Sequence, residues 1–144
     1  MITNEQYFGA KPHTDEHEKT AWKLLQLVNK LIDEAVSVGA FERTIDPDTG
    51  SEISGSKGGA GDGGFRLPTA TTGKALSSHK EARGVDVFDP GNDLDAWLNE
   101  FEGDNGANSK LQAYGLYREA PHATPGWCHL TSRAPGSGRR TFVP

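Results

Sequence analysis

The chain has one cysteine, so no disulfide can close within it, and its fold does not call for an oxidising compartment. It has no apolar run near the ~20 residues of a membrane span. Its N-terminus lacks the apolar core of a secretion signal. A cytoplasmic product, without a membrane partner, is therefore the expectation. Basic residues are not in excess either: 15 Lys and Arg stand against 20 Asp and Glu, a formal charge of −5. A nucleic-acid footprint would want a basic face, so no such partner is expected. Apolar residues are sparse at 34%, and no internal repeat is present. Glycine is what the chain has in plenty, 18 of 144 residues, which predicts a loop-rich fold with regular structure in a few pieces. That length suits one domain, 1–144, with a modest core, expected as a monomer.

The N-terminal part, 1–40, reads as a lead and a helix. Met1 to Pro12 carries Tyr7 and Phe8 as anchors, and a helix is predicted from about Asp15 to Val38. Thr14 or Asp15 can cap it, with Glu18 completing a capping box from Asp15. Ala21, Leu24, Leu25, Val28, Leu31, Ile32 and Ala35 form an i, i+3, i+4 stripe that must be buried against a sheet, and Gly39 ends the helix. His13 to His17 spells HxxEH, a zinc-peptidase pattern. It needs both histidines on one helical face, whereas Pro12 and the cap place His13 outside the helix, so a solvated first turn is the expectation.

Residues 41–64 read as a flexible loop. Asp46 to Glu52 has the outline of a calcium loop, but Gly50 takes a ligand position and the closing Glu is missing, so a turn is expected. Ser54 to Gly64 is a Gly/Ser segment, read as a mobile flap. The core, 65–144, is predicted to hold strands at Gly84–Phe88, Gly115–Glu119 and Trp127–Ser132, a helix at about Asp93–Glu102, a turn at Lys110–Tyr114 and an edge strand near 139–143. Asp89, Asp93 and Asp95 read as turn and cap residues. The fold class expected is α+β, a small, mainly antiparallel sheet with the long N-terminal helix and a second helix packed on it.

The chemistry concentrates in Ser77 to Pro90. His79 and Asp86 lie seven residues apart, and strand alternation puts Val85 and Val87 on one face and Asp86 on the other. On Trp127–Ser132, Trp127, His129 and Thr131 share a face, while Cys128 points away as a buried hydrophobe. A His, an Asp and a second His leave one position of tetrahedral Zn²⁺ open, the composition of a catalytic rather than a structural site. The plainer reading is a hydrogen-bonded His–Asp pair.

The segment resembles the SxHxxGxAxD signature of the zinc D-Ala-D-Ala carboxypeptidase family, which includes phage endopeptidases and is structurally akin to the hedgehog domain. Ser77, His79, Gly84 and Asp86 fall in register, with Ala82 and Gly84 where the family has Gly and Ala. Trp127, His129 and Arg133 match its second signature, and Gly64-Phe65-Arg66 is similar to its GYR or GFR. The resemblance implies Zn²⁺ on His79, Asp86 and His129, with Arg66 gripping a substrate carboxylate and Ser77 beside the substrate. It implies peptidoglycan stem peptides as partners, reached after release to the cell wall or from a virion. Relatives of the endolysin type place a Glu three residues before the last zinc His, where this chain has Gly126. The general base is then expected upstream, from His122 or Glu119, with His122 preferred because a loop residue can reach over the metal. The alternative is a zinc-binding virion or cell-wall protein that kept the fold and lost the base; a module without metal is a third.

Overall fold

The computed structural model describes residues 1–56, 62–71 and 77–144. Its elements are α1 (Asn4–Phe8), α2 (Asp15–Ser37), β1 (Gly84–Phe88), α3 (Asp93–Asn99), α4 (Ser109–Tyr114), β2 (Tyr117–Glu119), β3 (Trp127–Thr131) and β4 (Thr141–Phe142). The strands form one sheet in the order β1–β3–β2–β4. The first three are antiparallel neighbours and β4 joins β2 in parallel, so the chain is α+β with a mostly antiparallel sheet.

α2 starts at Thr14, whose extended backbone lets its Oγ accept the His17 N–H at 3.1 Å. The His17 ring returns a bond from the Thr14 N–H at 3.2 Å, so the capping box is Thr14/His17, one residue before the expected Asp15/Glu18 pair. The apolar stripe faces inward along its length, from Ala21 and Leu24 to Ile32 and Ala35. Burying each Leu or Ile there contributes on the order of 1.5–3 kcal/mol, which outweighs the exposed, polar remainder of the helix. His13 stays outside α2. Its ring stacks on Phe8 with centroids 3.8 Å apart and reaches the Lys11 carbonyl, so HxxEH closes a surface corner rather than a metal site.

In the sheet, Val85 and Val87 of β1 and Cys128 and Leu130 of β3 are fully buried on the face covered by helices. Asp86 pairs directly with His129 across the antiparallel ladder, so both side chains leave the other face. The N-terminal lead is stitched to this sheet, with the Tyr7 hydroxyl donating to the Gly84 carbonyl at 2.7 Å.

Two expectations need correction. The stretch from Ser51 to Ser56, with 62–64, is not slack: Ile53 bridges Val87, the Ser54 N–H donates to Asp86 O, and the Asp86 N–H donates to Gly63 O. Glycine serves close approach here, since a Cβ on Gly63 would lie 2.0 Å from the Ser54 carbonyl. The rest of the proposed flap, 57–61, lies outside the described residues. Asp95 is no cap: it is buried and ion-paired with Arg118 at 2.9 Å, while Asp89 caps α3 by accepting the Asp93 and Leu94 N–H groups. Asp46 makes the expected turn, with its backbone N–H bonded to the Ser51 carbonyl.

Candidate metal centre

His79 is delivered by a short 3-10 turn, Ser78–Glu81, whose N-cap is Ser77; the Ser77 Oγ accepts the His79 N–H at 3.3 Å. The turn closes through Ala82 in a left-handed conformation (φ 59°), fully buried, at the position where the resembled signature has glycine. Gly84 then passes under the site. A Cβ there would come within 2.3 Å of Ser78 Oγ and 3.1 Å of the His129 ring, so a side chain would displace both.

His79, Asp86 and His129 are all buried, and one ligand atom from each lies within 4.8 Å of the other two. Among the described residues no other group of His, Cys, Asp or Glu has this property. The converging atoms are His79 Nε2, 3.3 Å from Asp86 Oδ1, and His129 Nδ1, 2.8 Å from the same oxygen. Donors on tetrahedral zinc with bonds of 2.0–2.1 Å sit about 3.3 Å apart; the His79–Asp86 separation matches this, while the His129–Asp86 separation is that of a hydrogen bond.

Proton positions decide which of these atoms can bind a cation. His79 Nδ1 lies 2.8 Å from the Gly64 carbonyl, which can only accept, so Nδ1 carries the proton. In the neutral ring Nε2 therefore turns a lone pair toward Asp86 Oδ1. Burial lowers the His79 pKa against the pull of Asp86, so the neutral ring is the favoured form. Burial would raise the Asp86 pKa, but the two imidazoles outweigh it and hold this carboxyl far below its usual range. Asp86 Oδ1 is therefore partnered by the His129 Nδ1–H on one side and faces the bare Nε2 of His79 on the other, and loss of the His129 proton would leave three donor atoms for a cation. Two imidazole nitrogens and a carboxylate oxygen suit zinc. The Gly64 carbonyl supplies the outer hydrogen bond that fixes a ligating histidine's orientation.

These residues floor a cavity of about 410 Å³. Arg66 and Ser77 line it, and so do Trp127 and Arg133. Arg66 anchors its Nε on the Asp62 carbonyl at 2.8 Å. Among the described residues no hydrogen bond reaches its terminal nitrogens, the nearest carboxylate oxygen being Asp86 Oδ2 at 3.7 Å. Arg133 pairs with Glu81 at the rim at 2.6 Å.

The two candidates for the general base part company. His122 is exposed on the 3-10 turn Pro121–Ala123 and does not line the cavity, because that turn carries it outward from the sheet. Glu119 does line it. β2 pairs Tyr117 with Thr131 and Arg118 with Leu130, and one further step sets Glu119 opposite His129. Asp86, His129 and Glu119 thus form a row across three strands. Burial lowers the His129 pKa, but Asp86 and then Glu119 overcome this and raise it.

Two residues of the site were not anticipated. Ser56 Oγ donates to Asp86 Oδ2 at 2.9 Å, and Ser78 Oγ lies 3.4 Å from His129 Nε2. Ser78 adjoins His79 in the sequence, so its neighbourhood was marked. Nothing local marks Ser56, 30 residues before Asp86.

No helix among the described residues is long and apolar enough to cross a membrane. No family model, no curated protein and no solved structure matches the chain.

Proposed function

We propose that the protein is a zinc-dependent peptidase that cleaves the stem peptides of peptidoglycan. The observation that carries this reading is the convergence of His79 Nε2, Asp86 Oδ1 and His129 Nδ1 on one point of the cavity floor, with Arg66 beside it. The resemblance of Ser77–Asp86 and Trp127–Arg133 to the zinc D-Ala-D-Ala carboxypeptidase signatures supplies the substrate class.

A zinc ion held by the three ligands supplies Lewis acidity toward a peptide carbonyl and acidifies water. Arg66 offers its terminal nitrogens to the cavity, and a guanidinium fork matches a peptide's terminal carboxylate. That placement favours exopeptidase action of the D-Ala carboxypeptidase kind over cleavage within a cross-link. Glu119, rather than His122, is the residue placed to take and return a proton, since it stands over the cavity next to His129. Trp127 and Phe142 give the cavity apolar walls that exclude water from the reacting groups. Contact with the wall is expected after release from the producing cell or from a virion.

A catalytically inactive zinc protein is the second reading, and Gly126 favours it. Its φ of 92° suits glycine, so the base of endolysin-type relatives could not be placed there without strain. One experiment separates the readings. The purified chain is analysed for metal, then incubated with peptidoglycan and with D-Ala-terminated stem peptides whose products are read by mass spectrometry. One zinc per chain with release of D-Ala or a new cross-link product supports the peptidase; one zinc with intact peptides supports the second reading. No zinc, or zinc unchanged by His79→Ala and His129→Ala, overturns both.

A further inference from the structure

Asp86 has two oxygens, and the fold treats them differently. Oδ1 faces both imidazoles. Oδ2 is turned away and accepts the Ser56 hydroxyl at 2.9 Å, with Arg66 Nη2 at 3.7 Å beyond it. We infer that Ser56 is a positioning residue for the metal: it occupies Oδ2 so that Asp86 binds through Oδ1 alone. This inference rests on the reading of His79, Asp86 and His129 as a metal centre.

The segment around Ser56 is built for delivering that hydroxyl. Asp46 gathers the turn with its carboxylate, accepting the Asp48 N–H at 2.8 Å and the Gly55 N–H at 2.7 Å. Ser54 hydrogen-bonds the Asp86 carbonyl through its N–H, and its Oγ accepts the Ser56 N–H at 3.1 Å. Ser56 is buried at the wall of the cavity, and its hydroxyl is committed to Asp86. A buried donor 2.9 Å from a carboxylate is held there by the cost of leaving either group unpaired.

The consequence lies in coordination number. A carboxylate with both oxygens free can swing to grip a cation with both. At a site with two histidines, that second oxygen would fill the position a substrate carbonyl or water needs. By holding Oδ2, Ser56 keeps that position open. Outer hydrogen bonds of this kind change metal affinity by roughly 10–100-fold when removed.

The test is Ser56→Ala in the full chain, with zinc affinity measured by chelator competition and the visible spectrum recorded on the Co²⁺ form. Zinc binding weaker by roughly 10–100-fold, with a Co²⁺ absorption that loses intensity as the carboxylate grips with both oxygens, supports the inference. The folding of the metal-free variant is checked by its thermal transition. Should Ser56→Ala not fold, the infrared difference spectrum of the wild-type chain, zinc-bound minus metal-free, reports the binding mode directly. A wide splitting of the carboxylate stretches means one oxygen bound and supports the inference; a narrow one means two and overturns it. Affinity and Co²⁺ spectrum both unchanged in a folded Ser56→Ala overturn it while leaving the metal centre standing. A wild-type chain that takes up no metal overturns the metal centre and this inference together.

Discussion

On the face of the sheet that meets the helices, Arg118 is surrounded by acceptors; on the other face, Asp86 Oδ1 is met by ring nitrogens of both His79 and His129. Arg118 and Asp95 are buried, as are Asp86, His79 and His129; the first cluster joins β2 and β4 to α3, the second joins β1 and β3 to the turn that carries His79. Arg118 is wholly buried and uses all its donors: Nε reaches Thr141, Nη1 reaches the carbonyl and carboxylate of Asp95, and Nη2 reaches Asn99 and Glu102. Those bonds tie β2 to α3 and to the edge strand β4, which carries the cavity wall Phe142. No guanidinium donor is left over, and of the two carboxylates it meets Asp95 is buried while Glu102 reaches solvent. In the Asp86 cluster, ring nitrogens of two histidines converge on one carboxylate oxygen, a set that could hold a metal ion. The difference teaches how to tell a structural ion pair from a site. Burial and charge are shared by both clusters, whereas the convergence of three potential metal ligands belongs, among the described residues, to the site alone.

Substitutions on the two faces should therefore fail in different currencies. The largest effect is expected at Glu119, in the row with His129 and Asp86. Glu119→Gln should lower kcat on stem peptides by roughly 10²–10⁴-fold, the usual worth of a positioned acid or base, with zinc content and thermal transition unchanged. His122→Ala, on its exposed turn, should leave kcat alone. Loss of turnover in His122→Ala with a fully active Glu119→Gln would return the base to the loop. On the opposite face, Arg118→Ala strands Asp95 and Glu102 without their partner. Breaking a buried pair costs about 3–5 kcal/mol, to be read from denaturant unfolding, while zinc affinity of the folded fraction stays as in wild type. If Arg118→Ala instead lost zinc and kept its stability, the two clusters would be one network and the comparison would collapse.

Much of this was legible in the sequence because it depends on local periodicity. The stripe from Ala21 to Ala35 and the alternation in Gly84–Phe88 and Trp127–Thr131 each fix which side chains face the core, and the structure keeps them there. The three convergent residues, His79, Asp86 and His129, follow from that alternation with the motif spacing. What was not legible is set by register and by long-range closure. His122 is nearer than Glu119 to His129 in the sequence, yet the pairing of Tyr117 with Thr131 is what sets Glu119 beside it. Asp95 looks like a first-turn helix acid until Arg118, 23 residues later, arrives beneath it. Gly63 and Gly64 read as slack by composition, whereas both are buried where backbones nearly touch, Gly64 against the Tyr7 carbonyl.

The smallest expected effect is a pH slope, and it sharpens the comparison by asking which protons the site cluster would give up to a metal. His129 has its pKa raised above the ordinary 6.5, because Asp86 and Glu119 overcome the opposing effect of burial. In the metal-free protein its protonated form is thus preferred by the fold. The stability it contributes is full below 6.5 and is lost as pH climbs through the raised value. His79 is shifted down, so its effect runs the other way and is confined to pH below 6.5. Zinc needs both nitrogens bare. Between 6.5 and the raised His129 value, binding must therefore expel one proton, from His129, and none from His79. Zinc affinity should rise about tenfold per pH unit across that window and level off above it. His13, also shifted upward through the Lys11 carbonyl and Glu18, lies outside the ligand set and cancels between the two forms. Chelator competition from pH 6.5 to 8.5 gives the slope. A slope near two protons would mean that His79 is charged in the metal-free site, so that its Nε2 donates to Asp86 and the cluster is a satisfied pair after all. A flat profile would mean that zinc does not displace the His129 proton, and would remove His129 from the ligand set.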